Sequence, residues 1–150
     1  MGRTGIAGHG ITAFITGKNP ESRLIALRAD MDALPMPEDT GVDFSSRVEN
    51  VMHACGHDTH TAMLVGAARL LSSHRDQLQG RVVFMFQPGE EGHAGARFML
   101  EEGLLDVGPL SDGSVSEVTG AFAIHTTSSL PTGFVSTRGG PIMASSDTLA

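Results

Sequence analysis

The stretch RVVFMF, residues 81 to 86, constrains the fold more than any other. A short apolar run of this kind suits a strand buried on both faces, as in parallel sheets. ITAFI (11–15), LIALR (24–28), AFAIH (121–125) and GFVSTR (133–138) read as further strands. The first two are bridged by TGKNPESR, whose Gly, Asn and Pro predict a turn and hence a hairpin. Leu64, Ala67, Ala68 and Leu71 follow helical spacing, so an amphipathic helix is expected from Thr59 to about His74, with Asp58 or Thr59 capping it. HAGARFMLEEG (93–103) predicts a second helix stopped by Gly103, and the Gly-, Ser- and Asp-rich segment 105–118 a surface loop. Strands alternating with helices imply right-handed crossovers. The expected fold class is α/β, a mixed, largely parallel sheet flanked by helices, with the opening hairpin as an antiparallel edge.

A chain of 150 residues fits one compact domain and buries roughly two-thirds of its unfolded surface. Its net charge of -7 offers no basic footprint for phosphate backbones, so nucleic acid is not an expected partner. Nor is a membrane: the apolar runs are strand-length, and MGRTGIAGHG at the N-terminus lacks the apolar core of a secretion signal. One cysteine forms no internal disulfide, which makes the reducing cytoplasm the expected compartment.

The unusual residues fall together on this scheme. Asp30 and Asp32 follow one strand, Glu90 and Glu91 follow another, and His125 closes a third. Cys55 and His57, within MHACGHDTH (52–60), occupy the loop that feeds the first helix. In an open α/β sheet, ligands bind in the crevice outside the carboxyl ends of the strands. Thiolate, imidazole and carboxylate there form a ligand set for zinc or another late first-row divalent ion. Two such ions would activate water and stabilise both oxygens of a displacement. Glu90 and Glu91 are adjacent, so their side chains diverge and two roles follow: one holds metal, the other moves a proton. Asp32 is placed to orient a ligand imidazole through its second nitrogen.

Each residue taken alone has a plainer explanation. A lone cysteine is usually a small buried hydrophobe. Adjacent glutamates are usually solvated, a strand-end histidine can be a satisfied core residue, and Asp30 and Asp32 can form a turn. Their convergence at one sheet edge favours the metal site. On spacing alone His53, His60 and His93 compete as ligands, whereas His9 and His74 look like polar surface. A cysteine-protease arrangement lacks an oxyanion signature, and a structural zinc module would use a closed, thiolate-rich shell.

LRADMDALPMPE (27–38), MHACGHDTHTAMLVGAARLL (52–71), FQPGEEGHAGARFMLEEGLL (86–105), AIHTTSSLPTG (123–133) and GGPIMASSD (139–147) together resemble the amidohydrolase branch of the aminoacylase and carboxypeptidase-like metallopeptidases. The resemblance runs in order over nearly the whole chain, and ACGHD with QPGEE is its most specific part. It implies a zinc-exopeptidase-like catalytic domain that splits a small N-acyl amino acid, using two divalent ions (zinc, manganese, cobalt or nickel). It places Cys55, His57, Glu91 and His125 on the metals, Glu90 as general base and acid, and Asp32 as support, passing over His53, His60 and His93.

Family members are longer. They carry a lid and dimerisation domain after the GGPIMASSD region, and a later segment with a last histidine ligand. Residues 1–138 are therefore expected to be a partial metal-binding catalytic domain and 139–150 a junction, with any homodimer formed only through the inserted domain. The alternative is a truncated metal-binding fragment without turnover.

Overall fold

The structure, a computed structural model, describes residues 2–142. In chain order it contains β1 (Gly2–Ile6), β2 (Gly10–Thr16), β3 (Leu24–Asp30), α1 (His57–Ser73), a 3₁₀ turn (Arg75–Gln77), β4 (Arg81–Gln87), α2 (Gly95–Glu101) and β5 (Val118–Ala123). The strands form one five-stranded sheet in the order β1-β2-β4-β3-β5. β4, β3 and β5 are mutually parallel, while β2 pairs antiparallel with both β1 and β4. The fold is α/β with a mixed sheet, as expected.

RVVFMF is buried on both faces because β4 lies at the centre. Val83 and Met85 pack with Leu24, Ala26, Met99 and Leu104 on the α2 side. Phe84 and Phe86 turn the other way, against Ala29 and Leu64 on the α1 side. Alternation of side chains along a strand thus serves two cores at once. α1 leads from β3 to β4, so the two parallel strands are neighbours and their carboxyl ends share one edge.

Four expectations change. β2 and β3 do not form a hairpin, because β4 inserts between them; the hairpin is β1-β2, turning through residues 7–9. α1 begins at His57, two residues before the expected Thr59, and its N-cap is Gly56 with no side-chain cap. AFAIH, whose apolar run predicts a buried strand, instead contributes to β5, a largely exposed edge strand with Phe122 at 62 %. Residues 133–138 form no strand; the free edge of β5 has no further partner among the described residues, and a strand requires a ladder to satisfy its backbone. Of the proposed junction 139–150 and the motif GGPIMASSD, residues 143 onward lie outside the described residues.

Candidate metal centre

The first donor loop is shaped by Gly56, whose φ of 81° is open to glycine at little cost. A Cβ there would also collide with Thr126 Oγ1, so the loop lies directly against the segment after β5. This brings Cys55, His57 and His125 together: one donor atom from each lies within 4.8 Å of the others. A second group, His57, Glu90 and Glu91, meets the same spacing. All five residues therefore meet around His57, which is fully buried.

Both histidines present the same nitrogen. Nδ1–H of His57 donates to the backbone oxygen of Asp32 at 2.9 Å, and Nδ1–H of His125 donates to that of Thr126 at 2.6 Å. These bonds fix the tautomer and leave each Nε2 unprotonated. The Nε2 of His57 is buried with no hydrogen-bond partner. It faces Glu90 Oε2 at 4.0 Å and Asp30 Oδ2 at 3.6 Å. The Nε2 of His125 accepts from the Cys55 thiol at 3.5 Å.

Asp32 ties two elements together. Its Oδ2 accepts the backbone N–H of Glu91 at 2.9 Å, and its Oδ1 lies 3.3 Å from His57 Nδ1. Glu91 is half-buried beside this clamp, whereas Glu90 faces solvent. Burial, with the charges of Glu91 and Glu90 close by, pushes the Cys55 thiol up, so the sulfur keeps its proton until a cation offsets those carboxylates. The orphaned imidazole nitrogen, the thiol and the crowded carboxylates all fit a divalent cation.

His60 is a different case. Its Nδ1–H donates to Asp30 Oδ1 at 2.6 Å and its Nε2 accepts the N–H of Thr126 at 2.9 Å. Both ring nitrogens are engaged within the protein. Asp30, 1 % exposed, also pairs with Arg28 at 2.8 Å. Burial raises its carboxyl, but the His60 bond and the Arg28 charge outweigh that and hold it below the usual range. No sequence pattern points to this network, although His60 three positions after His57 places both on one helix face. His53 and His93 are exposed and belong to neither donor group. Beside Asp32 and Glu91 opens a cavity of about 570 Å³, walled by Ala7, Met31, Pro35, Pro88 and Phe98.

The sheet and its strand-end donors define an α/β domain with a candidate metal centre at its carboxyl edge. The chain belongs to the peptidase family M20/M25/M40, whose model matches residues 26–138. It is 46 % identical over 145 residues to thermostable carboxypeptidase 2 of Saccharolobus solfataricus, covering 93 % of this chain and 34 % of that protein. It is 45 % identical over 138 residues to an N-acetylcysteine deacetylase of Bacillus subtilis, covering 92 % of this chain and 33 % of the relative. Among solved structures it resembles the Bacillus subtilis YXEP protein, described as a dinuclear metal-binding peptidase of the M20 family. That match has a TM-score of 0.71 and 46 % identity, over 82 % of this chain and 31 % of the other. The chain thus spans about a third of the length of these relatives. No described helix is long and apolar enough to cross a membrane.

Proposed function

We propose that this chain forms the metal-binding part of an amidohydrolase that splits N-acyl amino acids into a carboxylic acid and an amino acid. The observation that carries the proposal is the bare, buried Nε2 of His57, set among a thiol, a second imidazole and two carboxylates. The substrate class draws support from relatives named as a carboxypeptidase and an N-acetylcysteine deacetylase, both of which point to an amide of an amino acid. Three donor groups meet at His57, of which Asp30–His57–His60 has its other donors engaged within the protein, and two ions are proposed because a structural relative is described as dinuclear.

Cys55, His57, Glu91 and His125 would hold the ions, with zinc, manganese, cobalt and nickel all compatible with the donors. When bound, such ions polarise a carbonyl and make water a nucleophile at neutral pH. Glu90, with 43 % of its side chain exposed, takes the proton from the attacking water and passes it to the leaving amine. Asp32 keeps the His57 ring and the Glu91 backbone in place. The cavity beside Asp32 and Glu91 gives room for one substituent of the substrate.

The test compares the 150-residue chain with a graft in which it replaces the matching third of the Bacillus subtilis deacetylase. Both are loaded with zinc, manganese or cobalt and assayed on hippurate and N-acetyl amino acids. The graft is expected to hydrolyse at least one of them and the chain alone very little, since the relatives' remaining two-thirds supply further structure. A folded, metal-loaded graft inert towards every N-acyl amino acid contradicts the proposal and leaves a metal-binding module without turnover.

A further inference from the structure

We propose that His60 is a positioning residue: anchored by Asp30, it fixes the backbone at Thr126 and so aims Nε2 of His125 into the donor cluster. This rests on the proposed ligand role of His125.

The need for such a device is visible in the fold. His125 follows an edge strand with only β3 beside it, and the residues that lead into it are poorly covered, with Phe122 62 % and Ile124 60 % exposed. Apolar packing therefore does little to fix where His125 points. Hydrogen bonds to a buried anchor take its place. The N–H of Thr126 donates to His60 Nε2 at 2.9 Å, with Thr126 Oγ1 3.1 Å from the same nitrogen. Thr126 in turn supplies the carbonyl that receives Nδ1–H of His125. One residue thus holds both the backbone and the ring orientation of its neighbour.

The anchor is rigid. His60 is 2 % exposed and sits on the inner face of α1, with its other nitrogen on Asp30, which Arg28 holds from the opposite side. Its ring meets that of His125 nearly edge-on, with centroids 4.6 Å apart and planes at 69°. Thr126 is also boxed in at Gly56, whose missing side chain leaves room for its hydroxyl. A chain of contacts therefore runs from Arg28 through Asp30 and His60 to Thr126 and His125.

Two substitutions separate the anchor's functions. His60→Asn keeps a donor near the position of Nδ1 for Asp30 but removes the acceptor for Thr126. His60→Gln keeps an acceptor near the position of Nε2. In cobalt titrations of the 150-residue chain, His60→Asn is expected to weaken binding about 10- to 100-fold, the usual loss when a partner that orients a ligand is removed. It should also alter the visible cobalt spectrum, whereas His60→Gln stays close to wild type in both. Because His60 acts through His125, the double variant His60→Asn/His125→Ala should bind no more weakly than His125→Ala alone.

A metal-free readout stands beside these. The Thr126 amide should be protected from hydrogen exchange in the wild-type chain and in His60→Gln, and exposed in His60→Asn. An unprotected Thr126 amide in the wild type overturns the proposal even if the variants fail to fold. Full additivity in the double variant, or cobalt binding lost in His125→Ala but unchanged in His60→Asn, overturns it while the ligand role stands. Cobalt binding unchanged in His125→Ala removes the ligand role and this proposal together.

Discussion

Glu90 and Glu91 are neighbours in sequence that the fold treats differently. The backbone of Glu91 is tied to Asp32 and its side chain is half-buried, while Glu90 stands in solvent beside His57. A tethered carboxylate suits metal binding and a free one suits proton transfer. In the graft, Glu90→Gln should therefore keep its metal and lose nearly all turnover, and Glu91→Gln should lose metal affinity as well. Elemental analysis and initial rates on the two variants check this; Glu90→Gln retaining most of its activity would show that another group moves the proton. Most of the cluster was legible at this scale, because Glu90, Glu91 and His125 are unusual residues just after predicted strands and Cys55 and His57 sit in the loop that feeds the first helix. Asp30 and His60 were both singled out, but their link was not legible, since it runs to a backbone N–H at Thr126 that no side-chain pattern encodes.

β4 decides the architecture. Its alternating sets, Val83 with Met85 and Phe84 with Phe86, join the cores under α2 and α1. Phe84 is 2 % exposed, so Phe84→Ala should cost about 3–5 kcal/mol through lost burial and a residual cavity. Urea unfolding with an unchanged denaturant slope measures that loss; a change under 1 kcal/mol would mean that the site collapses freely. The apolar run announced a strand buried on both faces, and the spacing of Leu64, Ala68 and Leu71 announced the inward stripe of α1. Pairing was harder to read. β2 and β3 are consecutive and joined by a turn-like segment, yet β4, 50 residues and more further on, takes the place between them. β1, GRTGI, gave no signal because four of its five residues are exposed and two are glycine.

On the scale of the whole molecule, the β5 side is the least finished. Phe122 and Ile124, in and just after β5, and Phe134 and Val135 further along the chain are each at least 60 % exposed, and β5 has a free edge among the described residues. Such surface promotes self-association. The 150-residue chain should sediment as concentration-dependent oligomers, and Phe122→Lys with Val135→Lys should shift it towards monomer; a monomer at all concentrations without those changes contradicts this. Family membership was legible from the order of the motifs, while the exposure of β5 was not, because AFAIH has the same apolar composition whether its faces are covered or bare. The most direct measurement for the chain as a metal-binding unit is a cobalt titration followed in the near ultraviolet. A sulfur-to-cobalt charge-transfer band should grow with added metal in the wild type and be absent in Cys55→Ser. Cobalt that binds without the band, or a band that persists in Cys55→Ser, would place the metal away from Cys55 and contradict the site proposed here.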